Sequence, residues 1–368
     1  METVSYKLFD YKKVFDLCAK IFEGYGFTEE ESKIITEIIT KADLYGIESH
    51  GVQRMIRYHK AITEEKMVKV DAKPEIVFET PISAVIDAHD AMGQLVSRQA
   101  MEMAIEKAKK TGIGMVTVNE SNHYGIAGYY TRMAAEADMI GVCMTNSEAI
   151  MVPTFARKAM IGSNPIALSM PADPTPFLYD GATTVIPRGK LEVYNKREKD
   201  LPYGWALDRD GSVSISPKVV LDAIISKQGG GILPLGGAGE ETAGYKGYGY
   251  GLICELFTGI LNGGPTSNHS NMGDGKSNTG HFFMALDYGV FGDKKTLKDN
   301  MTTFLQELRD TPKAEGCDRV YIHGEKELES EQKKLVEGIP MNPKTFGELR
   351  DIATGLGIDY ASYIGKEF

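Results

Sequence analysis

The chain has 368 residues, beyond the roughly 100–200 of one ordinary domain, so two lobes or one large domain with an appendage are expected. Its 42% hydrophobic content suits a soluble enzyme and can supply a sizeable core. A net charge of −10, with no Lys/Arg block, excludes nonspecific nucleic-acid binding and leaves any anionic substrate to local positive charge.

Hydrophobic periodicity predicts an amphipathic helix from Thr28 to about Gly46. Thr28 and Glu31 have capping-box spacing, and Ile34, Ile35, Ile38 and Ile39 recur on one face. In "IESHGVQRMIRYHKAI" (Ile47–Ile62), Ser49 is the expected N-cap of a second helix, so the first eighty residues read as mostly helical. Strands are then expected at Ser83–Ala88, Gly114–Val118 and Ile140–Asn146, and helices at Ser97–Gly112 and Tyr129–Ala137. "PIALSMP" and "PFLYDG" extend the strand-rich region to Asp180. The glycine-dense run Gly229–Gly251 reads as a loop feeding a buried helix at Leu252–Leu261. Ser267–Gly280 reads as a long polar excursion, and His281–Tyr288 and Arg319–Gly324 as strands. Two helices close the chain, the second capped by Asn342 with Pro343 at its first position. Alternating strands and helices argue for an α/β layer, packed on a helical lobe made from both chain ends.

Four groups of residues could carry chemistry. Ser49-His50-Gly51 with Arg54 sets a histidine and an arginine on one helix face; the planar guanidinium matches a carboxylate, and a helix N-terminus keeps imidazole neutral. A capped surface helix bearing two basic residues would read the same way. "NESNHYGIAGYY" (Asn119–Tyr130) puts His123 and Gly125 at the C-terminal end of a strand, where ligands collect in open α/β sheets, although ordinary turn formers are the alternative. Asn146, Ser147, Asn164 and Asp180 also fall near strand ends; Asp180 could cap a helix, orient a histidine or meet a ligand. The glycine run with Lys246 could reach phosphate, but it contains neither G-x-G-x-x-G after a strand nor GxxxxGK[ST].

Cys18, Cys143, Cys254 and Cys317 form no CxxC pair, the seven histidines are scattered, and HExxH and GxSxG are absent, so zinc chemistry, disulfides and a serine hydrolase find no support. The charged, amphipathic "METVSYKLFDYKKVFDL" lacks an apolar h-region and no apolar run spans a membrane, so a cytoplasmic protein without membrane partners is expected.

Taken in order, "ESHGVQR…RYHKAI", "NESNHYGIAGYY", "IGVCMTNSEA", "IGSNPIA", "DGATT", "PLGG…YKGYGYGL" and "HGE" resemble the non-Rossmann malate/L-lactate dehydrogenase family. That family includes ureidoglycolate dehydrogenase, 2,3-diketogulonate reductase, sulfolactate dehydrogenase and cyclic-imine carboxylate reductases. The resemblance runs from about residue 8 to residue 360. It implies an α/β (α+β) fold in which a family-specific, mixed-sheet NAD(P)-binding domain, residues 79–328, packs on a helical domain of residues 1–78 and 329–368, which the helix around 246–264 could join. It implies NAD or NADP as cofactor, a small 2-oxo or 2-hydroxy acid as substrate, and a homodimer. By the same resemblance His50 matches the acid/base histidine, Ser49 and Arg54 substrate-binding positions, and His123 a second histidine that could equally be the proton acceptor. Asp180 matches a site aspartate, and Ser147, Asp180, Gly181, Ala182, His323, Gly324 and Glu325 match cofactor positions, His123 contributing there as well. Two blocks depart from the family pattern: Asp180-Gly181-Ala182-Thr183-Thr184 replaces Asp-Met-Ala-Thr-Ser, and His323-Gly324-Glu325 replaces Pro-Gly-Glu. Glycine for methionine leaves more room beside the nicotinamide. A ureidoglycolate or cyclic-imine substrate, or a catalytically silent nucleotide-binding protein, would use the same residues.

Overall fold

The computed structural model describes residues 6–273 and 275–368; Met1–Ser5 of the charged amino terminus and Asp274 of the polar excursion lie outside the described residues. A short strand β1 (Lys7–Phe9) leads into helices α1 (Tyr11–Gly24) and α2 (Glu29–Leu44). The capping box expected at Thr28 forms: its Oγ1 accepts the Glu31 N–H at 3.2 Å, and Glu31 Oε2 accepts the Thr28 N–H at 2.9 Å.

The second helix differs from expectation. Ser49 caps nothing: Glu48–His50 and Val52–Arg54 are separate 3-10 turns broken at Gly51, and α3 (Met55–Thr63) begins only after Arg54. The cause is tertiary. The buried Asp43 carboxylate accepts the Val52 N–H at 2.7 Å and fills the space a Cβ on Gly51 would need.

Strands β2 (Glu75–Glu79) and β3 (Ser83–Asp87) form a hairpin; helix α4 (Gly93–Thr111) crosses over to β4 (Ile113–Ser121); α5 (Ala127–Glu136), β5 (Ile140–Thr145), β6 (Ile166–Met170) and β7 (Phe177–Gly181) follow. A side lobe holds α6 (Arg188–Lys196), β8 (Ala206–Leu207), α7 (Pro217–Ser226) and β9 (Gly231–Ile232), around buried Leu191, Val220, Ile224 and Ile232. Then come α8 (Gly244–Glu255), a π-turn over Leu256–Ile260, β10 (Thr279–Leu286) and α9 (Lys294–Asp310), and finally α10 (Glu325–Glu337), β11 (Ile339–Met341), α11 (Pro343–Gly355) and α12 (Ala361–Ile364). Asn342 caps α11 through the Thr345 N–H at 2.9 Å, as its sequence predicts.

The main sheet is mixed α/β in kind: seven strands in the order β2-β3-β4-β10-β5-β6-β7, with β3 and β4 parallel and every other neighbour antiparallel. A late strand, β10, thus enters beside β4, pairing Phe282 with Thr117 and Met144. One face packs on α4 and α5 through Ala100, Ala104, Tyr130 and Phe283. A second core joins the chain ends, with Leu17, Phe22, Ile35 and Tyr58 against Ile339, Phe346 and Leu349.

Three expectations need correction. Arg319–Gly324 is no strand; its tie to the sheet is one backbone bond, from Leu178 N–H to His323 O at 3.1 Å. The helix expected as a buried element at Leu252–Leu261 starts earlier, inside the glycine run, and leaves Leu252, Ile253, Leu256, Ile260 and Leu261 exposed. It packs on the other sheet face through Cys254 and Phe257, against Val142, Met144 and Phe282, rather than on the helical core. Its glycines serve packing, not phosphate: a Cβ on Gly247 would overlap Leu235's backbone, and one on Gly251 would meet Met151 Cε at 2.5 Å.

A paired substitution tests that reading. Gly247→Ala should lower the urea midpoint, by about 1–3 kcal/mol of overpacking. Gly249→Ala, which meets nothing within 4 Å, should raise stability by up to about 1 kcal/mol through helix propensity.

Candidate active site

The turn after β4 brings the two lobes together. His50 and His123 stack at 5.5 Å between ring centroids, so residues 73 apart in sequence face one cleft. Tyr58, on α3, places its hydroxyl 2.7 Å from His123 Nδ1, and the Gly125 N–H donates to the same nitrogen at 3.4 Å. An amide can only donate, so Nδ1 is the acceptor and a neutral His123 carries its proton on Nε2. His50 Nδ1 lies 3.0 Å from Ser49 Oγ, and Arg54 Nε donates to the Ser49 carbonyl. The α6 turn lies over this loop: a Cβ on Gly189 would be 3.7 Å from Ser49 Cβ and 3.8 Å from Arg54 Nη2.

The turn is fixed before any ligand arrives. Asn122 is buried, and its amide donates to the carbonyls of Met67, Asp90 and Ala91 at 2.9, 3.0 and 3.1 Å. Beneath it His281, fully buried on β10, puts Nε2 3.1 Å from the Asn122 carbonyl and 2.9 Å from Ser121 Oγ, while Nδ1 lies 2.8 Å from Thr145 Oγ1. Tyr124 stacks on its ring at 4.4 Å. His281 is therefore a satisfied core histidine that supports the turn.

Both cleft histidines are held neutral. Burial pushes His50 down to about 4, with Arg54 and Arg57 adding repulsion; burial, then Arg57, holds His123 well below the usual range. The helix end invoked for His50 is not the cause, because no helix starts there. Asp43 moves oppositely: burial raises its carboxyl to about 7 against the lowering effect of the Val52 N–H.

Asp180 ends β7 and accepts the Gly128 N–H at 2.7 Å, at the start of α5; its carboxylate braces that helix and bonds neither histidine. Desolvation raises its carboxyl to about 6. Gly181 leaves no extra room, since a Cβ there would lie 2.5 Å from Tyr179 Oη. Ala182 follows at the same edge. The loop of His323 and Gly324 runs beside β7, with the His323 ring 5.4 Å from Tyr179. Glu325 accepts from Arg309 Nε at 2.7 Å, Arg319 Nη2 at 2.8 Å and Ile322 N–H at 3.0 Å. Ser147 Oγ accepts the Ser163 N–H at 3.1 Å. Asn146 and Asn164 are buried structural amides, the latter donating to Glu255 Oε1 at 2.7 Å. Sequence reasoning passed over Tyr58, Arg57, Asp43 and His281; Arg57 and Tyr58 were within reach, three and four positions after Arg54.

The family model for malate/L-lactate dehydrogenase matches residues 9–350. The chain is 41% identical over 348 residues to a malate dehydrogenase of Pyrococcus horikoshii, covering 94% of this chain and 95% of that one. It is 35% identical over 355 residues to an L-sulfolactate dehydrogenase of Methanocaldococcus jannaschii, covering 95% and 97%. The crystal structure of a malate dehydrogenase from Entamoeba histolytica matches with a TM-score of 0.92 at 33% identity, over 96% of this chain and 99% of that one. The chain is thus an oxidoreductase of the class acting on CH–OH groups of hydroxy acids. It belongs to the malate/L-lactate dehydrogenase family, and that membership implies a nicotinamide cofactor. The residues present fit such a group: among the described residues Arg309 Nη1 and Nη2 are buried without a partner beside the His323–Glu325 loop, donors that a phosphate would satisfy.

The histidine charges can be read directly. His50's folded value lies below its unfolded one, so its contribution to stability is present above about pH 6.5 and is lost as pH falls through about 4. Asp43, raised to about 7, contributes in the other direction, its stabilisation being lost as pH rises through about 7. Because the two oppose, the check is site-resolved: His50 C–H resonances should stay put from about pH 8 to 5.5 and move only near 4. A midpoint near 6.5 would overturn the burial argument.

Proposed function

We propose that this chain interconverts a small 2-oxo acid and its 2-hydroxy acid, of the malate/lactate type, with NAD or NADP. The observation that carries the reading is a neutral histidine pair beside a guanidinium whose two Nη groups are free among the described residues. The names of the relatives, malate and sulfolactate dehydrogenases, support the substrate class.

Arg54 holds the substrate carboxylate bidentately through its free edge, while its Nε stays on the Ser49 carbonyl. His50 is the acid/base: with Nδ1–H turned to Ser49 Oγ, Nε2 keeps a lone pair that takes the hydroxyl proton on oxidation and returns it on reduction. His123, a donor at Nε2, polarises the same oxygen. The cofactor, when bound, supplies or accepts the hydride at carbon 2. Ser147, Gly181, Ala182, His323 and Gly324 line its side of the cleft, with Glu325 bracing the loop and Asp180 the α5 turn. Residues 1–78 with 329–368, and 79–328, act as the helical and cofactor domains.

The test is consumption of NADH and NADPH against 2-oxo acids, with His50→Ala alongside. Turnover should fall by about 10²–10⁴-fold in that variant, the worth of a general acid/base. Near-normal turnover would move the proton to His123, and silence across the panel would reject the reading.

We also propose a homodimer formed through α8 and its π-turn, where Leu252, Ile253, Leu256, Ile260 and Leu261 present a contiguous apolar run to solvent. Light scattering should give twice the chain mass, and Leu256→Glu with Ile260→Glu should give the chain mass. A monomeric parent would refute it.

A further inference from the structure

Arg57 is a charged side chain beside the site that the mechanism above leaves idle. It stands three residues after Arg54 and directly before Tyr58, the residue that holds His123. Among the described residues it makes no hydrogen bond and no ion pair, and its side chain is open to solvent. Yet it is no bystander. Of the charges around His123 it weighs most, ahead of His50 and Arg54, and it acts on His50 as well.

Its surroundings make that position costly. Arg54 and Arg188 both lie close enough to repel it, and Glu148 is the carboxylate within reach. Glu148 is already shared: Arg188 Nη1 is 3.6 Å away, Lys227 Nζ 3.5 Å, and Asn271 Nδ2 donates to it at 3.4 Å. Arg57 and the Nη edge of Arg54, two positive groups beside one histidine pair, repel each other. One carboxylate on Arg54 would relieve only half of that. A ligand with a second negative group would relieve both.

We propose that Arg57 binds the second anionic group of the substrate, making this enzyme selective for 2-oxo and 2-hydroxy acids that bear a carboxylate or sulfonate beyond carbon 2. The carboxylate on carbon 1 stays with Arg54, and the reacting oxygen lies between the histidines. Selectivity then comes from pairing a positive charge that has no protein partner among the described residues, which a monocarboxylate leaves unpaired. The inference rests on the 2-oxo acid reading above.

The test compares oxaloacetate, 3-sulfopyruvate and pyruvate with the parent chain, Arg57→Ala and Arg57→Lys, at saturating reduced cofactor. The parent should prefer the dianions over pyruvate by about 10- to 100-fold in kcat/KM, the worth of one hydrogen-bonded charge. Arg57→Ala should cut that ratio by the same factor, mainly through KM, and Arg57→Lys should restore part of it. The comparison of the two dianions distinguishes carboxylate from sulfonate. Arg57→Gln replaces the alanine variant if that one fails to fold. A ratio unchanged by substitution overturns the assignment, as does an equal loss on all three substrates with weaker NADH binding, which would give Arg57 to the cofactor. A parent that prefers pyruvate overturns it while leaving the 2-oxo acid reading intact; a parent silent on all three defeats that reading first.

Discussion

The side-chain amide of Asn122 is the point on which the molecule turns. It sits where the central strand β4 ends and donates to three carbonyls, one of them Met67 in the helical part. The Asp90 carbonyl also accepts the Lys69 N–H at 3.0 Å, but losing the amide would leave those of Met67 and Ala91 without a partner among the described residues, at a cost of about 1–3 kcal/mol each. The same bonds set the direction in which His123, the next residue, enters the cleft. His281 holds the backbone carbonyl of Asn122 from below. A single residue thereby ties sheet, helical lobe and site geometry into one register.

The facing wall depends on an equally local constraint. Asp43 presses its carboxylate against the Cα of Gly51 and holds the Val52 N–H, so the chain after His50 cannot run on as a regular helix. The break leaves Arg54 turned back on the Ser49 carbonyl, with its remaining N–H groups free. Only glycine fits at position 51. The Ser-His-Gly order is therefore a packing requirement as much as a chemical one.

Much of the fold was legible because its signals are short-range. The Thr28–Glu31 box, the Asn342–Pro343 start and the alternating run from Ser83 to Asp180 depend on residues within a turn or a strand of one another. Recognition of the ordered motifs located His50, Arg54 and His123, and the structure brings those three together. Asp180 and His323 gather instead along β7, Asp180 against the first turn of α5. Other features stayed hidden for identifiable reasons. The edge strand β2 carries Ile76, Val77 and Phe78 to solvent, against the alternation that marks a half-buried strand. Arg319–Gly324 has strand composition, but its neighbour β7 offers it one bond, not a ladder. The glycines of α8 looked like a loop because propensity counts against them, whereas tight contact with Leu235 and Met151 outweighs it.

The sequence by itself determined the family and the local helices and strands, and it singled out His50, Arg54 and His123 as candidates, since each is written in neighbouring residues or in motif order. Tertiary structure decided which charges have partners. In sequence Arg57 and Arg309 look like the chain's other arginines; only the folded chain shows one beside two neutral histidines and the other holding Glu325 with two donors to spare among the described residues. The same holds for the histidines. His281 and His123 are both buried beside β4, yet one has every nitrogen satisfied within the core and the other keeps Nε2 for the cleft. Pairing and desolvation are sums over distant segments, and no local pattern carries them.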